Sequence, residues 1–232
     1  MVSRIGSNAN DTLFGTATGD YIISRGGDDL VDAGDGSDTV MGGAGRDTLI
    51  GGIGNDSLSG EDGDDVIFGG VGDDTVLGQA GDDLLVWNSG DGSDFLSGGS
   101  GIDTVIANGS AADDVFVLSA GGPDLRLSGA GFQLGLYQVE TIEVYGQAGN
   151  DKLVIGALGS TPLHQVYFEG GAGSDTLDGA AATRTLIAAG GDGADSLIGG
   201  LADDSLMGAA APTSSRAAAA PTGSRAAEAP ID

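Results

Sequence analysis

The 232-residue chain contains no cysteine, one histidine, one tryptophan and eight Lys plus Arg residues. Each shortage removes a class of function. Without Cys there is no disulfide framework, zinc ribbon or thiol nucleophile. Against the eight bases stand 35 acids, a net charge of −27, which repels phosphate backbones and anionic lipid and excludes nucleic acid as a partner. No run approaches the roughly 18 apolar residues of a membrane span, and Met1 to Gly15 lack the apolar stretch of a secretory signal peptide. The motifs G-x-S-x-G, H-E-x-x-H, the Walker loop and the EF-hand loop with its twelfth-position Glu are all missing. The chain is therefore read as non-catalytic. Lone His164, after Pro162, is read as a strand-like residue rather than a ligand.

What the chain has in excess is Gly, 46 residues where the usual share is about 7%, and Asp, 30 against 5 Glu. Asp favours turns where Glu favours helices, so the carboxylates belong in turns. Their spacing is regular. Asp11, Asp20, Asp29, Asp38, Asp47, Asp56, Asp65, Asp74 and Asp83 follow one another at nine-residue intervals. Two residues after each comes an apolar residue, from Leu13 and Ile22 to Val76 and Leu85. Two residues before each stands Gly27, Gly36, Gly45, Gly54, Gly63, Gly72 or Gly81, weakening to Ala9 and Thr18 in the first two units. Trp87 and Asn88 insert two residues, and Asp94 and Asp103 resume the pattern.

The sequence divides accordingly. Residues 1–106 form about eleven nonapeptide units. Residues 107–169 are degenerate, with one intact unit at 146–154 around Asp151, and alternate like strands at Val115 and Val117, Leu125 and Leu127, Leu134 and Leu136, and Ile142 and Val144. A second short block, 170–208, carries Asp175, Asp195 and Asp204, with Arg184 standing where another Asp is due. The Ala- and Pro-rich tail 209–232 has no apolar period and is read as disordered.

Six turn formers and a three-residue β-type segment cannot make a helix, and so short a strand cannot stand alone. Stacking rescues it, with each triplet pairing to its equivalents in neighbouring coils. Two units per coil give an 18-residue turn with two parallel sheets around a thin core. The pattern leaves a three-sided helix open, although the short inward side chains favour the flatter form. Stacking also puts aspartates 18 residues apart in columns about 4.8 Å apart, where each adjacent pair repels by roughly 0.9 kcal/mol in water and about 3.5 kcal/mol at an effective dielectric of 20. Residues 6–106 hold 20 acids and two Arg. Something cationic must lie between the coils, and carboxylate and carbonyl oxygens point to calcium rather than zinc or copper.

These units resemble the glycine- and aspartate-rich nonapeptides of RTX proteins, G-G-x-G-x-D-x-U-x. The resemblance runs through residues 6–106 and returns at 146–154 and 170–207. It implies an all-β, right-handed parallel β-roll with about five to eight calcium ions between glycine-rich turns. The implied ligands are the sixth-position carboxylates already named, from Asp11 to Asp204, together with turn carbonyls. On that pattern the carbonyl positions are Gly27, Gly36, Gly42, Gly45, Gly51, Gly54, Gly60, Gly63, Gly69, Gly72, Gly78 and Gly81. Turns that depart from the pattern at Ala9, Thr18, Arg184 and Ala202 make doubtful sites. Arg184 is either a lost site or a guanidinium in place of an ion. Fifth-position acids such as Asp28, Asp64, Asp73 and Asp82 are expected to raise the negative potential without ligating. Trp87 and Phe95 are expected to cover the insertion or an edge rather than stack on a sugar.

The resemblance further implies a bacterial protein exported by type I secretion machinery, extracellular, folding on external calcium. Two other readings stand beside it. One is a non-catalytic carrier or substrate-binding module of a secreted epimerase, protease or lipase, with a polysaccharide or cell-surface ligand. The other is an adhesin or surface-layer solenoid.

Overall fold

A computed structural model describes residues 2–121, 124–208 and 214–216. Among them there is no helix, and hence none long and apolar enough to cross a membrane. Every regular element is a strand, most of three to six residues, and the chain forms two compact units.

The first unit comprises residues 1–106 and 133–139. Its first sheet holds Ser3–Ile5, Tyr21–Gly26, Thr39–Ala44, Ser57–Asp62, Thr75–Ala80, Phe95–Ser100 and Phe132–Tyr137, in that order. Its second holds Thr12–Thr16, Leu30–Asp35, Thr48–Ile53, Val66–Val71, Leu84–Asn88 and Thr104–Asn108. Consecutive strands thus alternate between sheets, and neighbours within a sheet run parallel. The register is 18 residues, as in Val40 opposite Leu58 and Leu49 opposite Ile67. The coil is two-sided, the flatter of the two forms. Its core is the eighth position of each nonapeptide: Ile22, Val31, Val40, Leu49, Leu58, Ile67, Val76 and Leu85 are fully buried. Seventh- and ninth-position side chains point outward, since successive residues of a strand alternate faces.

The insertion at Trp87 and Asn88 lengthens the coil to 20 residues, with Phe95 opposite Thr75. Asn88 and Asp91 close the extra turn, Asp91 Oδ2 accepting from the Asn88 backbone N–H at 2.6 Å. Trp87 is buried and donates its indole N–H to the Gly92 carbonyl at 3.1 Å. It covers the insertion as expected. Phe95 is exposed and meets the Tyr137 ring instead, centroids 6.2 Å apart.

The second unit comprises residues 107–132 and 140–232. One sheet pairs Val115–Ala120 with Leu125–Gly129 as an antiparallel hairpin and with Lys152–Ile155 in parallel, continuing through Thr176–Asp178, Ser196–Ile198 and Ser214–Arg216. The other runs Thr141–Tyr145, Gln165–Ala172, Thr185–Asp192, Ser205–Met207. The degenerate stretch therefore builds strands of the same layered kind. The alternation at Val115 and Val117 faces outward, however, and the buried residues are Phe116 and Leu118. Apart from Ser214–Arg216, the tail 209–232 lies outside the described residues.

Candidate metal centre

The sixth-position aspartates stand where each turn enters a strand, and they form ladders. In the first unit, Asp47 Oδ1 accepts the backbone N–H of Asp29 at 2.8 Å, Asp65 that of Asp47 at 2.8 Å and Asp83 that of Asp65 at 2.9 Å. The opposite edge repeats this from Asp38 through Asp56 and Asp74 to Asp94. In the second unit Asp151, Asp175 and Asp195 continue it, each accepting from the preceding sixth-position N–H at 2.7–3.0 Å. One carboxylate oxygen thus knits adjacent coils.

The other oxygen divides the aspartates into two kinds. At Asp29, Asp38, Asp47, Asp56, Asp65, Asp74, Asp83, Asp151, Asp175 and Asp195, Oδ2 is buried and has no hydrogen-bond partner. At Asp11, Asp20, Asp114 and Asp204 the protein supplies a donor. Ser7 gives Asp11 both its backbone N–H (2.6 Å) and its hydroxyl (2.9 Å), and Ser110 does the same for Asp114. Thr16 gives Asp20 its hydroxyl at 2.7 Å, and Gly200 gives Asp204 its N–H at 2.7 Å.

The backbone explains the division. Regular turns have positive φ at both the second and fourth positions, as at Gly43 (112°) and Gly45 (137°) or Gly52 (109°) and Gly54 (144°). In the turns of Asp11, Asp20, Asp114 and Asp204 the fourth residue is Ala9, Thr18, Ala112 or Ala202, and neither position has positive φ. An L-residue with a Cβ avoids that conformation, so these turns relax and aim the second-position N–H or hydroxyl at the carboxylate. Three of the four turns singled out as doubtful from sequence are of this kind.

Burial without a donor shifts proton affinity. Desolvation raises Asp65 and Asp74 to about 7 and Asp47, Asp56, Asp94 and Asp151 to about 6. The backbone hydrogen bond from the neighbouring coil only partly offsets it. Asp20 moves the other way, lowered first by the Val2 N–H and then by the Thr16 hydroxyl.

The oxygen-rich side of a regular turn is closely packed. A Cβ built on first-position Gly42 would lie 2.5 Å from Asp47 Oδ2 and 2.7 Å from the Gly60 carbonyl oxygen. Fourth-position carbonyls stack in a second line, Gly45 O against Gly63 and Gly63 O against Gly81. Among the described residues no three His, Cys, Asp or Glu side chains converge as a metal-holding group. An ion here needs backbone carbonyls beside the carboxylates, a donor set that suits calcium. The buried partnerless oxygens fit such an ion, whereas a donor-bearing side chain would already have satisfied them.

Fifth-position acids make a second ladder of opposite sense. Asp28 Oδ1 accepts the N–H of Arg46 at 3.0 Å, Asp64 that of Asp82 at 3.0 Å and Asp73 that of Ser93 at 3.0 Å. Asn10 and Asn55 serve the same way. Asp and Asn recur at this position, and both accept a backbone N–H.

Among the described residues, Arg184 reaches carbonyls rather than acids. Its Nη2 donates to the carbonyls of Gly159 (3.2 Å) and Thr161 (3.1 Å). The residue opposite Asp204 is Leu186, whose N–H Asp204 Oδ1 accepts at 2.9 Å. Coils of 20 residues moved the position by two, so the due Asp falls on an apolar residue. Ile142, Val166 and Leu186 line up along that edge of the second unit, all buried.

The RTX calcium-binding nonapeptide repeat (4 copies) matches residues 5–40, 32–67, 41–76, 50–85, 88–122, 167–186 and 187–210, well over half of the chain. No curated protein matches. Among solved structures, the chain is similar to the extracellular lipase LipA from Serratia marcescens, at 22% identity and a TM-score of 0.33, over 66% of this chain. The chain spans 32% of that lipase's length. Repeat by repeat, this chain belongs to the family of RTX calcium-binding nonapeptide repeat proteins.

Proposed function

We propose that the chain is a non-catalytic structural module of a bacterial extracellular protein, exported through type I machinery, whose fold is completed by calcium. The observation that carries this reading is the set of buried carboxylate oxygens without a donor. A buried unsatisfied polar atom costs about 1–3 kcal/mol, and more when charged, against a whole-domain stability of about 5–15 kcal/mol. Ten such oxygens in columns of like charge are incompatible with a stable ionised fold unless a cation joins them.

The ions would be held by the sixth-position carboxylates of regular turns, Asp29 to Asp83 in the first unit and Asp151, Asp175 and Asp195 in the second, with carbonyls of turn glycines such as Gly42, Gly45, Gly60 and Gly63. Calcium supplies charge neutralisation there. The chain supplies the rest: one carboxylate oxygen knits coils, the glycines keep Cβ atoms away, and the core holds the two sheets together. Asp11, Asp20, Asp114 and Asp204 already have donors and take no ion in this reading.

Extracellular modules bind calcium with dissociation constants near 0.1–1 mM. At about 1 mM calcium, a site of about 0.1 mM contributes roughly 1.4 kcal/mol. About six independent sites contribute about 8 kcal/mol, comparable to a domain's stability, and the term vanishes at submicromolar calcium. Such a module is unfolded inside the cell and folded outside. Isothermal calorimetry tests the assignment: several calcium ions per chain and no comparable magnesium heat are expected. Stoichiometric magnesium binding, or none of either ion, would refute it.

A further inference from the structure

The outward seventh and ninth positions of the first unit's first sheet, such as Thr39, Met41, Ser57, Ser59, Thr75 and Leu77, carry no charge. On the outer side of this sheet, where the 20-residue coil passes, a cleft of about 440 Å³ is lined by Leu77, Gln79, Ser97, Ser100 and Gln138, with Gly98 and Gly99 as its floor. None of these residues is ionisable. The nearest charge in the strand rows is Glu61, opposite Gln79 on the next strand out.

Register places an exposed aromatic pair beside this cleft. Ser97 lies opposite both Leu77 and Tyr137, and Tyr137 directly precedes Gln138. Phe95, two residues before Ser97 on the same face, meets Tyr137 with ring centroids 6.2 Å apart. Both rings are about two-fifths exposed, Phe95 at 42% and Tyr137 at 39%, in a chain with only 11 aromatic residues. Trp87, by contrast, is buried. This pair faces solvent next to amides and hydroxyls.

The two glutamines add a separate observation. Gln79 has φ 82° at a second position that is glycine at Gly43 and Gly99 but also carries side chains at Arg25, Glu61 and Gln147, and Gln138, at 48°, aligns by register with Gly98. Both carry their amides to one cleft. Gln79 Nε2 also donates to Ser59 Oγ, on the neighbouring strand away from Ser97 and Gln138.

We propose that this face is a binding site for a neutral saccharide, with a sugar ring against Phe95 and Tyr137 and its hydroxyls hydrogen-bonded by Gln79, Ser97, Ser100 and Gln138. The chemistry selects this class. Amides and hydroxyls both donate and accept, as sugar hydroxyls do. Exposed aromatic rings offer an apolar face to the C–H side of a pyranose. The uncharged wall gives a cation or an anion no counter-charge, and the surrounding acidic surface repels anionic polymers.

The test is titration of the full chain in calcium with maltohexaose, cellohexaose and laminarihexaose, followed by amide NMR shifts. Polygalacturonate and chitosan hexamers serve as charged controls. The site rests on the calcium-folded state, so circular dichroism of each sample separates loss of fold from loss of binding. At least one neutral hexamer is expected to shift the Ser97, Ser100 and Gln138 resonances at up to about 10 mM. Tyr137→Ser weakens that binding at least tenfold. Gln79→Gly does the same while leaving the fold as stable or more so, because glycine is at ease at that φ. No shift with any neutral hexamer, shifts that survive both substitutions, or binding of the charged controls alone would each overturn the site.

Discussion

Two kinds of turn coexist in this molecule, and they handle the same carboxylate differently. At Asp47 and Asp65 the turn has Gly at its fourth position, two positive φ angles and a buried Oδ2 with no donor. At Asp20 the turn has Thr18 there, no positive φ, and a Thr16 hydroxyl on Oδ2. The first carboxyl is raised by burial and the second lowered by hydrogen bonds. The comparison teaches that glycine in this repeat does more than permit a tight bend. It withholds the N–H and hydroxyl that would otherwise satisfy the Asp, and so leaves a buried oxygen without a donor, as the proposed calcium role requires.

The largest break in that comparison comes from the glycine itself. Gly63 has φ 131°, and a Cβ there would collide with the Gly45 carbonyl oxygen. Gly63→Ala is expected to cost about 1–3 kcal/mol or more, read as a higher calcium midpoint and a lower melting temperature in calcium. An unchanged midpoint would mean that the turn relaxes freely.

Next comes the charge. Asp65→Asn keeps the oxygen that accepts the Asp47 N–H but removes the buried charge. It is expected to lower the ion count by at least one and to increase the β-signal that remains in chelator. Asp20→Asn changes neither appreciably. Equal effects at the two positions would erase the distinction between the turns.

Acid should partly replace calcium. Asp65 and Asp74, near 7, and Asp47 and Asp56, near 6, hold protons in the fold that unfolded Asp, at about 3.9, has released. Between about pH 4 and 7 the folded chain binds more protons, so calcium-free stability falls as pH rises through that window. Far-UV circular dichroism in chelator at pH 5 and pH 7.5 checks the sign, with more β-signal expected at pH 5. The smallest expected effect is a gain. Thr16→Gly with Thr18→Gly rebuilds a regular turn before Asp20, and calorimetry should then count up to one further ion.

Much of this was legible in the sequence. The nine-residue spacing gave the inward eighth position, the short inward residues favoured the two-sided coil while leaving a three-sided one open, and the departures at Ala9, Thr18 and Ala202 marked the turns with internal donors. Other parts were hidden for physical reasons. Counting nine residues from Asp175 reaches Arg184, but a 20-residue coil moves the strand register to Leu186. The hairpin of Val115–Ala120 and Leu125–Gly129 is antiparallel, a reversal that alternation alone cannot signal. The fifth-position ladder depends on which way a carboxylate leans, and spacing carries no such information.

The most direct measurement is far-UV circular dichroism of the whole chain during a calcium titration from chelator, with magnesium as control. The account predicts a coil-like spectrum in chelator at pH 7.5 and a cooperative rise of β-signal near about 0.1–1 mM calcium, absent with magnesium. A full β-spectrum in chelator, unchanged by calcium, would show that the apolar core carries the fold alone and would contradict the central claim.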